Sequence, residues 1–112
     1  MTAVTVYRES KKIVSFSCDG HTDYGEEGED IVCAALSTLT QTAMLGLLQV
    51  ASIPIKYKID EKKAYLEVSL PSVLSEAERN NADMILETMF LGIYDLSVEY
   101  GKYVKLEVKR NV

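Results

Sequence analysis

The sequence predicts an α+β fold, a single mixed or antiparallel five-stranded sheet with two helices on one face, in the order β-β-α-β-β-α-β. Three observations carry it. Apolar residues alternate with polar ones in short runs at both ends and in the middle of the chain. Two longer proline-free segments place apolar residues at helical spacing. Each of the first two strand pairs is separated by only a few polar residues, a hairpin length.

Residues 3–8 and 13–18 form the first strand pair. In the second of these, Val14, Phe16 and Cys18 alternate with Ile13, Ser15 and Ser17. Glu9-Ser10-Lys11-Lys12 is the turn, without the usual Asn-Gly signal. The segment 19–29 carries Gly20, Gly25 and Gly28 and leads to Asp30, placed as an N-cap. A helix then runs from Ile31 to about Ala51, and Pro54 closes the segment. Residues 55–60 and 64–70 make a second hairpin around Asp60-Glu61-Lys62-Lys63, with Leu66, Val68 and Leu70 on one face. Ser75 and Glu78 form a capping box for a helix that reaches about Tyr100, and Gly101 stops it. Val104, Leu106 and Val108 alternate with Lys105, Glu107 and Lys109 in a last strand.

The 112 residues suit one domain, 1–112. With 47% hydrophobic and 26% charged residues, the composition is that of a globular protein. The net charge of −5 argues against direct nucleic-acid binding, which needs a basic face, and favours a basic partner. No secretory signal opens the chain, and no window is expected to reach the ~20 apolar residues of a membrane span. A cytoplasmic protein with reduced Cys18 and Cys33 is therefore expected.

Function is sought between Gly20 and Ala35, which hold the only histidine, His21, and Cys33. With Asp30 as N-cap, Cys33 is the third helical residue, where unpaired amides and the helix dipole favour a thiolate. The eleven residues between them allow His21 to fold back to the helix start. An imidazole there takes the thiol proton and returns it to a leaving amine. The amides of the helix start are candidate oxyanion donors. Asp23, Glu26, Glu27, Glu29 and Asp30 oppose a thiolate by like charge. The competing interpretation of Cys33 is a core residue within Ile-Val-Cys-Ala-Ala. A metal site of Cys18, His21, Asp30 and Cys33 lacks the paired ligand spacing of structural zinc, so no metal or cofactor is expected. Cys18 is expected to be packed in the core. Asp30 caps the helix or also orients His21. Ser37, four residues after Cys33, shares its helix face.

Gly20-His21, the glycine- and acid-rich segment, and Gly28-Glu29-Asp30-Ile31-Val32-Cys33-Ala34-Ala35 resemble the ribosomal-processing cysteine protease family, Prp, over the whole chain. Thr22 departs from the alanine that often follows the histidine in that family. The resemblance implies a cytoplasmic bacterial cysteine endopeptidase. Its substrate is the N-terminal extension of a basic large-subunit ribosomal protein, cut after an aromatic residue and before a small one. It implies His21 as general base, Cys33 as nucleophile, Gly20, Asp30 and Ser37 as supporting residues, and a homodimer. The alternative is a non-enzymatic homodimeric domain that binds a ribosomal protein or the ribosome, with Cys33 inert.

Overall fold

The computed structural model describes residues 1–20 and 29–111. β1 (Thr2–Glu9) and β2 (Lys12–Asp19) form an antiparallel hairpin. Its turn residues, Ser10 and Lys11, have φ of 49° and 69°. Two successive left-handed residues give the turn whose twist matches the strands it joins. Ordinary side chains occupy it here at a conformational cost glycine would avoid.

The register slips between Tyr7 and Arg8: Tyr7 faces Ser15, whereas Arg8 faces Ile13. Val14 is left over as a bulge. The alternation expected for this strand is therefore corrected. Ile13, Phe16 and Cys18 are buried, and Val14 is only partly covered. One extra residue in a strand reverses which positions face inward beyond it.

α1 (Glu29–Leu45) starts earlier than expected, so Asp30 lies inside the first turn rather than capping it. The helix winds on as five residues of π-helix, Gly46–Val50, with the Ala51 amide donating to the Gly46 carbonyl at 2.9 Å. By length and composition Glu29–Val50 is apolar enough to cross a membrane, with a mean hydropathy of 1.7, contrary to the expectation of no such window. In this fold its stripe of Val32, Leu36, Ala43, Met44 and Leu47 fills the core.

β3 (Lys56–Asp60) and β4 (Tyr65–Ser69) form the second hairpin, with Leu66 and Val68 buried as the alternation requires. α2 (Glu76–Glu99) begins at the Ser75–Glu78 capping box, both of whose hydrogen bonds are made. β5 (Val104–Asn111) pairs parallel to β1. The sheet order is β3-β4-β2-β1-β5, so the sheet is mixed. α1 packs over β1, β2 and β4, and α2 over β2 and β5, side by side on one face. Phe16, Leu36, Leu86 and Ile93 are fully buried between the layers.

Three contacts fasten α2 to the first hairpin. The Arg8 guanidinium donates to both carboxylate oxygens of Glu87, at 2.7 and 2.9 Å. Lys12 reaches Asp83 at 2.8 Å, and Arg79 bridges Asp83 and the Ile13 carbonyl. All lie at the end of the sheet opposite the start of α1.

Candidate active site

The end of β2 and the start of α1 meet at one point. Gly20 is buried just past β2, and its carbonyl lies 4.0 Å from the Cys33 Sγ. Its amide donates to the Ala64 carbonyl at 2.8 Å. A Cβ on Gly20 would sit 2.7 Å from Sγ and 3.2 Å from the Ala64 Cβ. Only a residue without a side chain brings the backbone so close to the thiol. Ala64 takes part through a left-handed backbone, φ 50°, in the turn between β3 and β4.

Cys33 is half-buried and is the fifth residue of α1, two residues further in than expected. The helix dipole acts mainly over the first turn, and Cys33 lies just beyond it. Glu29 and Asp30 occupy that first turn. Glu29 is buried and paired with the chain's amino terminus, while Asp30 is exposed. Ser37 lies one turn beyond Cys33 on the same face and is half-buried. Gly20, Cys33 and Ser37 are thus brought to one edge of the fold. His21 lies outside the described residues; in sequence it follows Gly20 directly.

Cys18 is 2% exposed and part of the core, as its strand position requires. Burial pushes its thiol up to about 11, against a hydrogen bond with Thr40 that lowers it; the nearby Cys33 and Asp19 push it up further. It is a protonated thiol at neutral pH. Among the described residues no three His, Cys, Asp or Glu side chains converge on a metal position.

A cleft of about 290 Å³ opens between α1 and the tip of the β3–β4 hairpin; Cys18, Ser37 and Ala64 line it, and Cys33 does not. Ser37, Thr40 and Gln41 form its helical wall, and Ala64 and Leu66 face them. The sequence gives no direct signal for Ala64 or the hairpin tip at this site. Their part depends on strand pairing between β2 and β4, which a linear pattern does not specify.

Residues 1–105 match the family model described as Cysteine protease Prp. The chain belongs to the cysteine protease Prp family. It is accordingly a cysteine protease, and the non-enzymatic alternative is set aside. The ribosomal processing cysteine protease Prp of Bacillus subtilis is 27% identical to it over 101 residues, 89% of this chain and 90% of that protein. The Prp of Staphylococcus aureus is 28% identical over 106 residues, 95% of each chain. Among solved structures, SMU.848 from Streptococcus mutans superposes with a TM-score of 0.86 at 28% identity, covering 99% of this chain and 96% of that one. The Prp fold is also that of the S. aureus ribosomal processing protease crystallised with a substrate peptide. That structure has a TM-score of 0.84 and 24% identity, and the match covers 97% of this chain and all of that one.

Proposed function

We propose that this chain is the ribosomal processing member of the Prp family, an endopeptidase that removes the N-terminal extension of a large-subunit ribosomal protein. Cys33 is the nucleophile and His21 the general base. The observation that carries the assignment is the seating of the Cys33 thiol against the Gly20 carbonyl. That contact ties the thiol to the residue directly before the only histidine of the chain. The B. subtilis and S. aureus relatives, named as ribosomal processing proteases, supply the substrate class.

In this mechanism His21 takes the Sγ proton of Cys33, and the thiolate attacks the scissile carbonyl carbon. The tetrahedral adduct collapses as the imidazolium protonates the departing amine, leaving a thioester on Cys33. Water, deprotonated by His21, attacks the thioester carbon. The thiolate leaves, the acid product is released, and the proton returns to sulfur. Gly20 and Ser37 are supporting residues: Gly20 by its close approach, Ser37 by its place one turn along. Asp30, exposed in the first turn of α1, supports the site without capping the helix. The protease works in the cytoplasm on a basic substrate, without cofactor or direct contact to nucleic acid. It works as a homodimer, for which Met84, Leu91 and Val98 offer exposed apolar surface on α2.

The test is cleavage of a peptide spanning the N-terminal extension by wild type, Cys33→Ala, His21→Ala and Cys18→Ala. Cleavage is expected to vanish in the first two variants and persist in the third. Activity retained by folded Cys33→Ala removes the assignment.

A further inference from the structure

Thr2 opens β1 and is fully buried, yet its Oγ1 is the one buried side-chain oxygen or nitrogen among the described residues without a hydrogen-bond partner. Its backbone is satisfied, the amide donating to the Tyr103 carbonyl at 2.9 Å. Valine has nearly the same shape and would fill this place without the penalty of an unpaired buried hydroxyl. An orphaned group of this kind marks stored strain or a chemical role.

Strand register places the hydroxyl at the active site. Ala3 faces Asp19 across the first hairpin, and one more antiparallel step sets Thr2 opposite Gly20. Both look toward the helices: Thr2 is buried there with Val4 and Val6, and a Cβ on Gly20 would stand 2.7 Å from the Cys33 Sγ. Directly opposed residues have Cβ atoms about 4.5–5.5 Å apart, so the Thr2 Cβ lies no more than about 8 Å from Sγ. The sulfur thus sits over Gly20, with Ala64 on the β4 side and Thr2 on the β1 side.

A thiol and a thiolate need different neighbours. The Cys33 thiol is seated against the Gly20 carbonyl, 4.0 Å away, as a weak donor. Once the proton has left, sulfur and carbonyl oxygen both carry negative charge and repel each other. Glu29 and Asp30 on α1 and Asp19 on β2 add to that repulsion and offer no donor. Lys62 and Lys63, which precede Ala64 in its turn, are exposed. Resting on the assignment of Cys33 as nucleophile, we propose that the Thr2 hydroxyl is a hydrogen-bond donor to the Cys33 thiolate. His21 takes the Sγ proton, the sulfur turns from the Gly20 carbonyl toward β1, and Thr2 Oγ1 donates to it while keeping its own proton. The hydroxyl is unpaired beside the thiol and paired beside the thiolate, so its burial penalty falls on the thiol state alone.

The experiment compares Thr2→Val, Thr2→Ala and Thr2→Ser with wild type. It reads the rate at which iodoacetamide alkylates Cys33 at neutral pH, kcat and KM on the extension peptide, and the thermal midpoint. Thr2→Val is expected to slow alkylation about tenfold, the scale of a hydrogen bond to a charged group. It should lower kcat in parallel, with KM near wild type and the midpoint equal or higher. Thr2→Ala, which removes the hydroxyl and adds nothing, should show the same loss of alkylation. Thr2→Ser is expected to restore both rates to within about threefold of wild type. Unchanged alkylation in folded Thr2→Val and Thr2→Ala, or a slowing that serine does not restore, overturns the proposal. A lower midpoint with unchanged alkylation also overturns it and makes Thr2 a support for the start of α1. Failure of the nucleophile assignment reads differently: folded Cys33→Ala would cut the extension peptide as wild type does, while alkylation still reports whether Thr2 acts on the thiol.

Discussion

A methyl group on Gly20 has no room, because it would lie 2.7 Å from the Cys33 Sγ and 3.2 Å from the Ala64 Cβ. Either the thiol or the hairpin tip must move to admit it. Gly20→Ala is therefore expected to fold and to lower kcat by about 100-fold, the usual scale for displacing a reacting group by about 1 Å. KM should change much less, since the cleft beyond Ser37 is untouched. Parallel fall of kcat and the thermal midpoint would instead make Gly20 a packing residue only. The sequence pointed to Gly20, His21 and Cys33 because they carry rare chemistry in a short span. It did not point to Ala64, whose contribution is a carbonyl and a left-handed backbone. Any residue can supply a carbonyl, so no letter in the sequence marks the place.

At the scale of elements, the first hairpin is held to α2 by charge. Burial pushes the Asp83 carboxyl up, but hydrogen bonds from Arg79 and Lys12 outweigh it and hold the group below its usual range. A carboxyl depressed in the folded state stabilises the fold above its unfolded pKa, and that contribution is lost as pH falls through the folded value. Asp83→Asn is thus expected to be less stable than wild type at pH 6, by about 1 kcal/mol for a partly exposed pair. The gap should narrow steadily below about pH 4 in urea melts. A gap that stays constant with pH would show that the carboxylate charge is irrelevant. Element order and the capping box of α2 were legible because period and cap are local signals. Local signals do not carry the bulge at Val14, which depends on what β1 presents opposite. Nor do they mark the π turn at Gly46–Val50, which continues the same apolar pattern.

Charge is sorted along the whole molecule. Asp19, Asp60 and Glu61 lie at the end of the sheet nearest Cys33, and Glu29 and Asp30 open α1 there. The segment joining β2 to α1 adds Asp23, Glu26 and Glu27 in sequence. Lys62, Lys63, Lys102 and Lys105 offset part of this. Arg8, Lys11, Lys12, Lys56, Arg79, Lys109 and Arg110 gather toward the opposite end, where Glu9, Glu76, Asp83 and Glu87 offset part of their charge. A molecule sorted in this way attracts a basic peptide toward its acidic end before any contact is made. That long-range part is what salt removes, because the screening length drops from about 10 Å at 0.1 M to about 3 Å at 1 M. The bond-making step occurs at contact distance and is screened far less. Raising salt from about 0.05 to 0.5 M should therefore increase KM for the basic extension peptide several-fold, with kcat changing by less than about twofold. A peptide of the same cleavage sequence whose distant lysines are replaced by glutamine should show little of this dependence. A KM for the basic peptide that is indifferent to salt would mean that the charge sorting serves solubility and not substrate capture.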